Sequence, residues 1–340
     1  MSWPEKSTIV RIRNASMGAF FRYAEYIVPG TAGRVAKNLW FTAPPRMAEL
    51  AVPDGGEAFE VGVEGHVVRG QVWGEGPVVY LMHGWGGRGS QFGALVEPLL
   101  ESGHRVVMLD APAHGESDHG PAGPRRTNGL EFAKALDAVF CRFGPAEAVV
   151  AHSLGTIATY LALRFGWLGT NRLVFIAPMV ESQSLFNQFQ EVLGFGARTR
   201  RAFDRSVYEW LNIPVADFDA RVQAAQVEPV PTLVITDRGD RQTPYEDVVS
   251  FAKSIDAPLI TTAGLGHRKI LRDPQVIACV VEFVSGHGLE VASDMSSVAG
   301  IRGPAATARA TTRSGFPSST CTSSAGGSVG LRGRIQNPCK

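Results

Sequence analysis

Between residues 77 and 264 the sequence returns six times to a short apolar run: PVVYLMHG (77–84), HRVVMLD (104–110), AEAVVAHS (146–153), RLVFIAP (172–178), PTLVITD (231–237) and PLITTAG (258–264). Each is apolar at successive rather than alternate positions and rich in β-branched residues, the pattern of a strand covered on both faces. Helix-length stretches at 88–102, 127–143 and 154–166 separate the first four runs. Strands joined by helices of that length lie parallel, because the crossover returns the chain to the same edge of the sheet. The expectation is an α/β domain: a mostly parallel sheet with helices on both faces. Ahead of it, 57–63 and 66–73 read as an antiparallel hairpin turning at Glu64-Gly65.

Two segments depart from this rhythm and divide the chain. Residues 182–228 carry helical patterning where a plain crossover would suffice, so they read as a small helical cap over the carboxyl edge. On its first helix Leu185, Phe186, Phe189, Val192 and Leu193 share one face, which either packs on the domain below or lines a pocket. Residues 289–340, rich in Ser, Thr, Gly, Ala and Arg, lack the apolar content to bury a core and read as a disordered tail. Residues 1–55 read as a helical segment packing on the core, which leaves 56–288 as the main domain. Arg11, Arg13 and Arg22 interrupt the apolar residues near the N-terminus, so no signal peptide is expected, nor any transmembrane segment. A net charge of +1 gives no reason to expect nucleic acid as a partner. The four cysteines form no CxxC pair and no zinc-like spacing, so a cytoplasmic setting is expected.

The third run ends in AVVAHSLGT (148–156). A strand followed by small-x-Ser-x-small and then a helix describes a tight turn that lifts the serine above the sheet edge at a helix N-terminus. Ser153 is therefore a candidate nucleophile, or else simply the cap of the next helix. After the 77–82 strand, HGWGGRGSQF (83–92) supplies glycine-rich backbone. There the N–H of Trp85, with that of Leu154, would form a hole for an oxyanion. A nucleophilic serine needs a base and the base needs an orienting carboxylate. TDRGDRQTP (236–244) offers Asp240 or Asp237, and AGLGHRKI (263–270) offers His267, each just past a strand.

Together these segments resemble the α/β-hydrolase fold family, in its serine hydrolase branch, over about residues 57–287. HGWGG resembles the family's oxyanion segment and AHSLG its nucleophile elbow. DAPAHGESD (110–118) resembles the loop usually written D-x-P-G-x-G-x-S, TDRGDRQTP the acid loop, and GLGH the histidine loop. The resemblance implies Ser153 as nucleophile, His267 as general base and acid, and Asp240, four residues before Pro244, as its orienter. Some members carry the acid after the preceding strand, which makes Glu181 an alternative. Two positions depart from the pattern: Ala151 in the elbow and Ala113 in the D-x-P loop stand where the family commonly has glycine. His83 and His152 flank the site as loop-shaping residues, and His114 lies beside it.

A serine nucleophile argues against the dehalogenase and epoxide hydrolase branches, whose elbows carry aspartate. Acyl transfer to water from a small apolar ester is the first expectation, with Trp85 and Trp210 near the acyl group and no metal or organic cofactor implied. Thioester, lactone or carbon–carbon bond hydrolysis would use the same residues. An aminopeptidase would need an acidic group in the cap, for which Glu191, Asp204 or Glu209 could serve. A non-catalytic binding protein or a cofactor-free oxygenase can also be built on this fold.

Overall fold

The structure is a computed structural model and describes residues 4–286 of the chain. The expected tail at 289–340 lies outside the described residues. One sheet holds the eight strands β1 (Glu57–Val63), β2 (His66–Trp73), β3 (Val78–Met82), β4 (Arg105–Leu109), β5 (Ala146–His152), β6 (Thr170–Ile176), β7 (Thr232–Asp237) and β8 (Leu259–Thr262). Their spatial order is β1-β2-β4-β3-β5-β6-β7-β8. β1, β2 and β4 pair antiparallel, and from β4 through β3 to β8 every pairing is parallel.

The helices are α1 (Pro4–Ile27), α2 (Pro29–Trp40), α3 (Gly93–Glu101), α4 (Gly129–Phe143), α5 (Leu154–Arg164), α6 (Ser182–Leu193), α7 (Ala197–Leu211), α8 (Ala220–Ala224), α9 (Tyr245–Ser254), α10 (Gly266–Lys269) and α11 (Pro274–Val284). None of the described helices is long and apolar enough to cross a membrane. Strand residues alternate between two cores, which is why the runs read as continuously apolar. Tyr80, Met82, Val149, Phe175 and Val234 face α4, α5 and α9, while Val79, Leu81, Val150, Val174 and Ile235 face α3 and α11. β3 sits where the strand order reverses, so the loops after β3 and β5 diverge and leave a crevice at the carboxyl edge.

That crevice is roofed. α6, α7, a 3₁₀ turn at Val215–Phe218 and α8 come from the 182–228 insertion, and α1 and α2 pack against α6 and α7. α2 crosses α7 at Gly33, where an added Cβ would lie 2.6 Å from the backbone at Ala202 and Phe203. The contact is otherwise aromatic: Trp40 meets Phe186 and Phe189 edge-on at 4.7 and 5.0 Å, and Phe41 meets Trp210 at 4.9 Å. One residue of the expected α6 face is misplaced, because Val192 is 81% exposed. The other four members, Leu193 in the same turn included, are buried or half-buried, so the apolar face narrows to them.

The roof also contains a charge. Glu25, buried on α1, accepts hydrogen bonds from the backbone N–H groups of Gly196, Arg198 and Thr199, at 3.1, 2.8 and 3.0 Å. These are orphan donors at the start of α7, and a carboxylate satisfies them while opposing the helix dipole. Burial alone would raise the pKa of this carboxyl, but the hydrogen bonds outweigh burial and hold it below the ordinary value.

Candidate active site

Ser153 is the single residue between β5 and α5, and its backbone is in the left-handed region at φ 53° and ψ −120°. Such geometry is costly for a residue with a Cβ, by roughly 1–3 kcal/mol, and persists only where the surroundings enforce it. Here the surroundings are specific. Ser153 N donates to Ile176 O, and its carbonyl accepts from Thr156 N and Met179 N, at 3.2, 3.0 and 3.1 Å. The next turn passes so close to β3 that a Cβ at position 155 would lie 2.6 Å from Met82 O, hence Gly155. Ala151, by contrast, lies within β5 between Met82 and Phe175, fully buried, and a methyl fits there. Although Ser153 occupies the cap position of α5, its side chain makes no capping bond.

The N–H groups of Leu154 and Trp85 donate to no protein acceptor among the described residues. Two histidines hold the loop that carries Trp85. His83 Nδ1–H donates to Gly84 O at 2.7 Å while Nε2 accepts from Ala111 N at 2.9 Å. His114 Nδ1–H donates to Pro112 O at 3.0 Å while Nε2 accepts from Gly86 N at 2.9 Å. Because each ring must accept at one nitrogen, both are neutral, and burial pushes their pKa values down to about 4 and about 3. The D-x-P segment closes the arrangement, with Asp110 accepting from Gly89 N at 2.6 Å and from Glu116 N at 2.8 Å. Ala113, standing where the resembled pattern has glycine, adopts φ 64°. His114 thus supports the glycine loop from behind.

Past β8, His267 is the second residue of α10, and its Nδ1 lies 2.7 Å from Asp240 Oδ2. Asp240 also accepts from Thr243 Oγ1 at 2.7 Å and from the backbone of Gln242 and Thr243 at 2.7 and 3.2 Å. Burial would raise its pKa, but His267 and the other donors outweigh it and keep the carboxylate ionised below its usual range. Asp237 is differently occupied: it accepts from Gly239 N, Thr262 Oγ1 and Leu265 N, tying β7 to the loop after β8. Glu181 precedes α6 and pairs by its backbone with Asp219. Of the three carboxylates, Asp240 is the one bonded to His267. His152 buttresses the same histidine, its Nε2–H donating to His267 O at 2.8 Å, and burial drives its pKa down to about 3.

Ser153 opens into a cavity of about 430 Å³ under the roof. Trp85 and Leu154 line it from below, Leu185, Phe186 and Val207 from the insertion, and Trp40 and Phe41 from the N-terminal helices. Trp210 does not line it and packs instead on Phe41. Nor do Glu191, Asp204 or Glu209; Asp204 pairs with Arg200 at 2.9 Å. Among the described residues no group of three His, Cys, Asp or Glu side chains is arranged to hold a metal.

Comparison with known proteins agrees with this architecture. Residues 78–289 match the alpha/beta hydrolase family, more than half of the chain. The chain belongs to the alpha/beta hydrolase family. Similar solved structures include an esterase from Pyrococcus furiosus, 17% identical with a TM-score of 0.53, covering 73% of this chain and 98% of that one. An esterase from Exiguobacterium antarcticum is 16% identical, with a TM-score of 0.50 over 66% of this chain and 98% of its own. A thioesterase domain from the curacin biosynthetic pathway is 18% identical, also at 0.50, over 68% of this chain and 99% of its own. At these identities the likeness is one of fold. No curated protein matches the chain.

In this alpha/beta hydrolase family member, Ser153, Leu154 and Trp85, expected together from their motifs, lie around one cavity, and His267 meets Asp240. Trp40 and Phe41 escaped the sequence reading because no motif marks them. The signal available was a helix bearing tryptophan and phenylalanine ahead of the first strand, with nothing to say what it would cover.

Proposed function

We propose that the chain is a serine hydrolase that cleaves a carboxylic ester through an acyl-enzyme on Ser153. The observation that carries this reading is the 2.7 Å bond from His267 Nδ1 to Asp240 Oδ2. A carboxylate can only accept, so Nδ1 carries the proton and Nε2 is left with a lone pair for the serine hydroxyl. Ser153 Oγ attacks the ester carbonyl as His267 takes its proton. The carbonyl oxygen becomes an oxyanion against the N–H groups of Trp85 and Leu154. The intermediate collapses, and His267 hands the proton to the departing alkoxide. Water then loses a proton to His267, attacks the acyl group and frees Ser153 and a carboxylic acid. The aromatic and aliphatic part of the lining, from Trp40, Phe41, Leu185, Phe186 and Phe218, supports an apolar acyl group. Because no carboxylate lines it, an aminopeptidase reading has no group to hold the substrate's amine.

The test is turnover of p-nitrophenyl esters from acetate to palmitate by the wild type and Ser153→Ala. A chain-length optimum is expected, with a fall of at least about 10⁴-fold in the variant. Near-wild-type turnover by Ser153→Ala would place the nucleophile elsewhere.

A further inference from the structure

Arg241 is the one charged side chain among the residues lining the cavity, and the charge has no counterion there. Among the described residues no hydrogen bond or ion pair links its side chain, which is exposed, to the protein. The adjacent carboxylate does not serve, since the oxygens of Asp240 are taken by His267, Thr243 and the N–H of Gln242. Those same bonds fix the turn on which Arg241 is mounted, so an exposed guanidinium at the edge of the cavity stands on a rigid base one residue from Asp240. An unpaired guanidinium at the edge of a largely apolar cavity keeps its five donors for something that arrives. Its planar fork matches an oxyacid anion.

We infer that Arg241 is a specificity-determining residue that receives an anionic group, carboxylate or phosphate, on an otherwise apolar substrate. This rests on the reading that the cavity beside Ser153 is the substrate site. The substrate is then an amphiphile: its chain lies among Trp40, Leu185 and Phe186, and its charge lies at Arg241. Neutral esters would still react, but without the contact that holds the far end in register.

Binding can be read apart from turnover, because Trp40 and Trp85 line the same cavity and report through their fluorescence. Octanoate, octyl phosphate and octanol are titrated into the full-length chain carrying Ser153→Ala, with and without Arg241→Gln. Since Arg241 is exposed and bonds to none of the described residues, its replacement leaves the fold intact. At least one anion is expected to lose about tenfold in affinity on Arg241→Gln, with octanol unchanged, and high salt should shrink the preference. Tighter octyl phosphate would mark a phosphorylated substrate, and tighter octanoate a carboxylated one. Arg241→Glu should reverse the preference toward octylammonium. The inference falls if octanol binds as tightly as both anions, if Arg241→Gln weakens all three alike, or if none binds. Anion binding that depends on Arg241 without ester turnover would overturn the proposed reaction and leave this inference standing.

Discussion

The loops at the carboxyl edge and the helices above them solve the same problem, enclosing one cavity, by different means. Below, the groups around the site are tied by directional bonds: His83, His114, Asp110, Asp237 and Asp240 each satisfy particular backbone N–H groups. Above, aromatic edges and one close helix crossing at Gly33 make most of the contact, with two polar anchors: the Glu25 carboxylate, and Arg200, which donates to Asn187, Gln190 and Asp204. Directional bonds position atoms to tenths of an ångström, as chemistry requires. Shape complementarity encloses a volume and tolerates substitution of similar size.

That contrast can be broken at its strongest point. Asp240→Asn is expected to lower kcat by about 10⁴-fold, since the tautomer of His267 is no longer held, and to cost about 1–3 kcal/mol as well, because an amide cannot accept all four of its bonds. Asp237→Asn should lose a similar stability, its three bonds being of the same kind, while keeping the rate. If the two variants exchange phenotypes, the assignment of the acid fails.

Glu131 stands at the boundary, in the first turn of α4, where Asn128 caps the helix by accepting from Leu130 N and Glu131 N and donates its Nδ2–H to Glu131 Oε1. Its Oε2 has no hydrogen-bond partner and burial raises its pKa from 4.5 to about 7. A carboxyl raised in this way favours the fold while protonated, so its contribution is complete below 4.5 and lost as pH rises through about 7. Glu131→Gln, which keeps the capping acceptor, should therefore gain up to about 3 kcal/mol above neutral pH and almost nothing in acid. Urea unfolding at the two extremes measures this, and a gain independent of pH would refute it.

Gly33→Val tests the roof by itself. A side chain pressed on the backbone at Ala202 and Phe203 should destabilise by about 1–3 kcal/mol and impair long esters more than acetate. Equal loss on every ester would mean that roof and loops do not act separately. The smallest effect is expected at Ala113, whose φ of 64° suits glycine. Ala113→Gly should stabilise by no more than about 1 kcal/mol, relief of strain being offset by chain entropy. A lower melting temperature would show that the methyl packs well enough to outweigh the strain.

The same division governs what could be read in advance. Buried parallel strands announce themselves as apolar runs, and the hairpin at 57–73 alternates around a Glu-Gly turn, so the sheet was legible nearly to the residue. Ser153 and His267 were legible because their loops need small residues at fixed offsets. The choice of Asp240 over Asp237 and Glu181 rested on the resemblance alone, through its spacing to Pro244, since all three follow strands; in space Asp240 is the one that meets the imidazole. The roof was not legible. Val192 satisfies the helical period of its neighbours yet points outward, and nothing local shows that Trp40 meets Phe186 across more than a hundred residues of chain.

The bond between Glu25 and α7 bears on the order in which the chain assembles. Its partners lie 171 to 174 residues further along, so the carboxylate has nothing to hold until α7 exists. Closing so long a loop is slow and entropically unfavourable beside the hairpins and crossovers of the sheet. The roof is then the last part to close and the first to open. A newly made chain would pass through a stage in which its sheet is formed while its hydrolytic crevice still lies open to water.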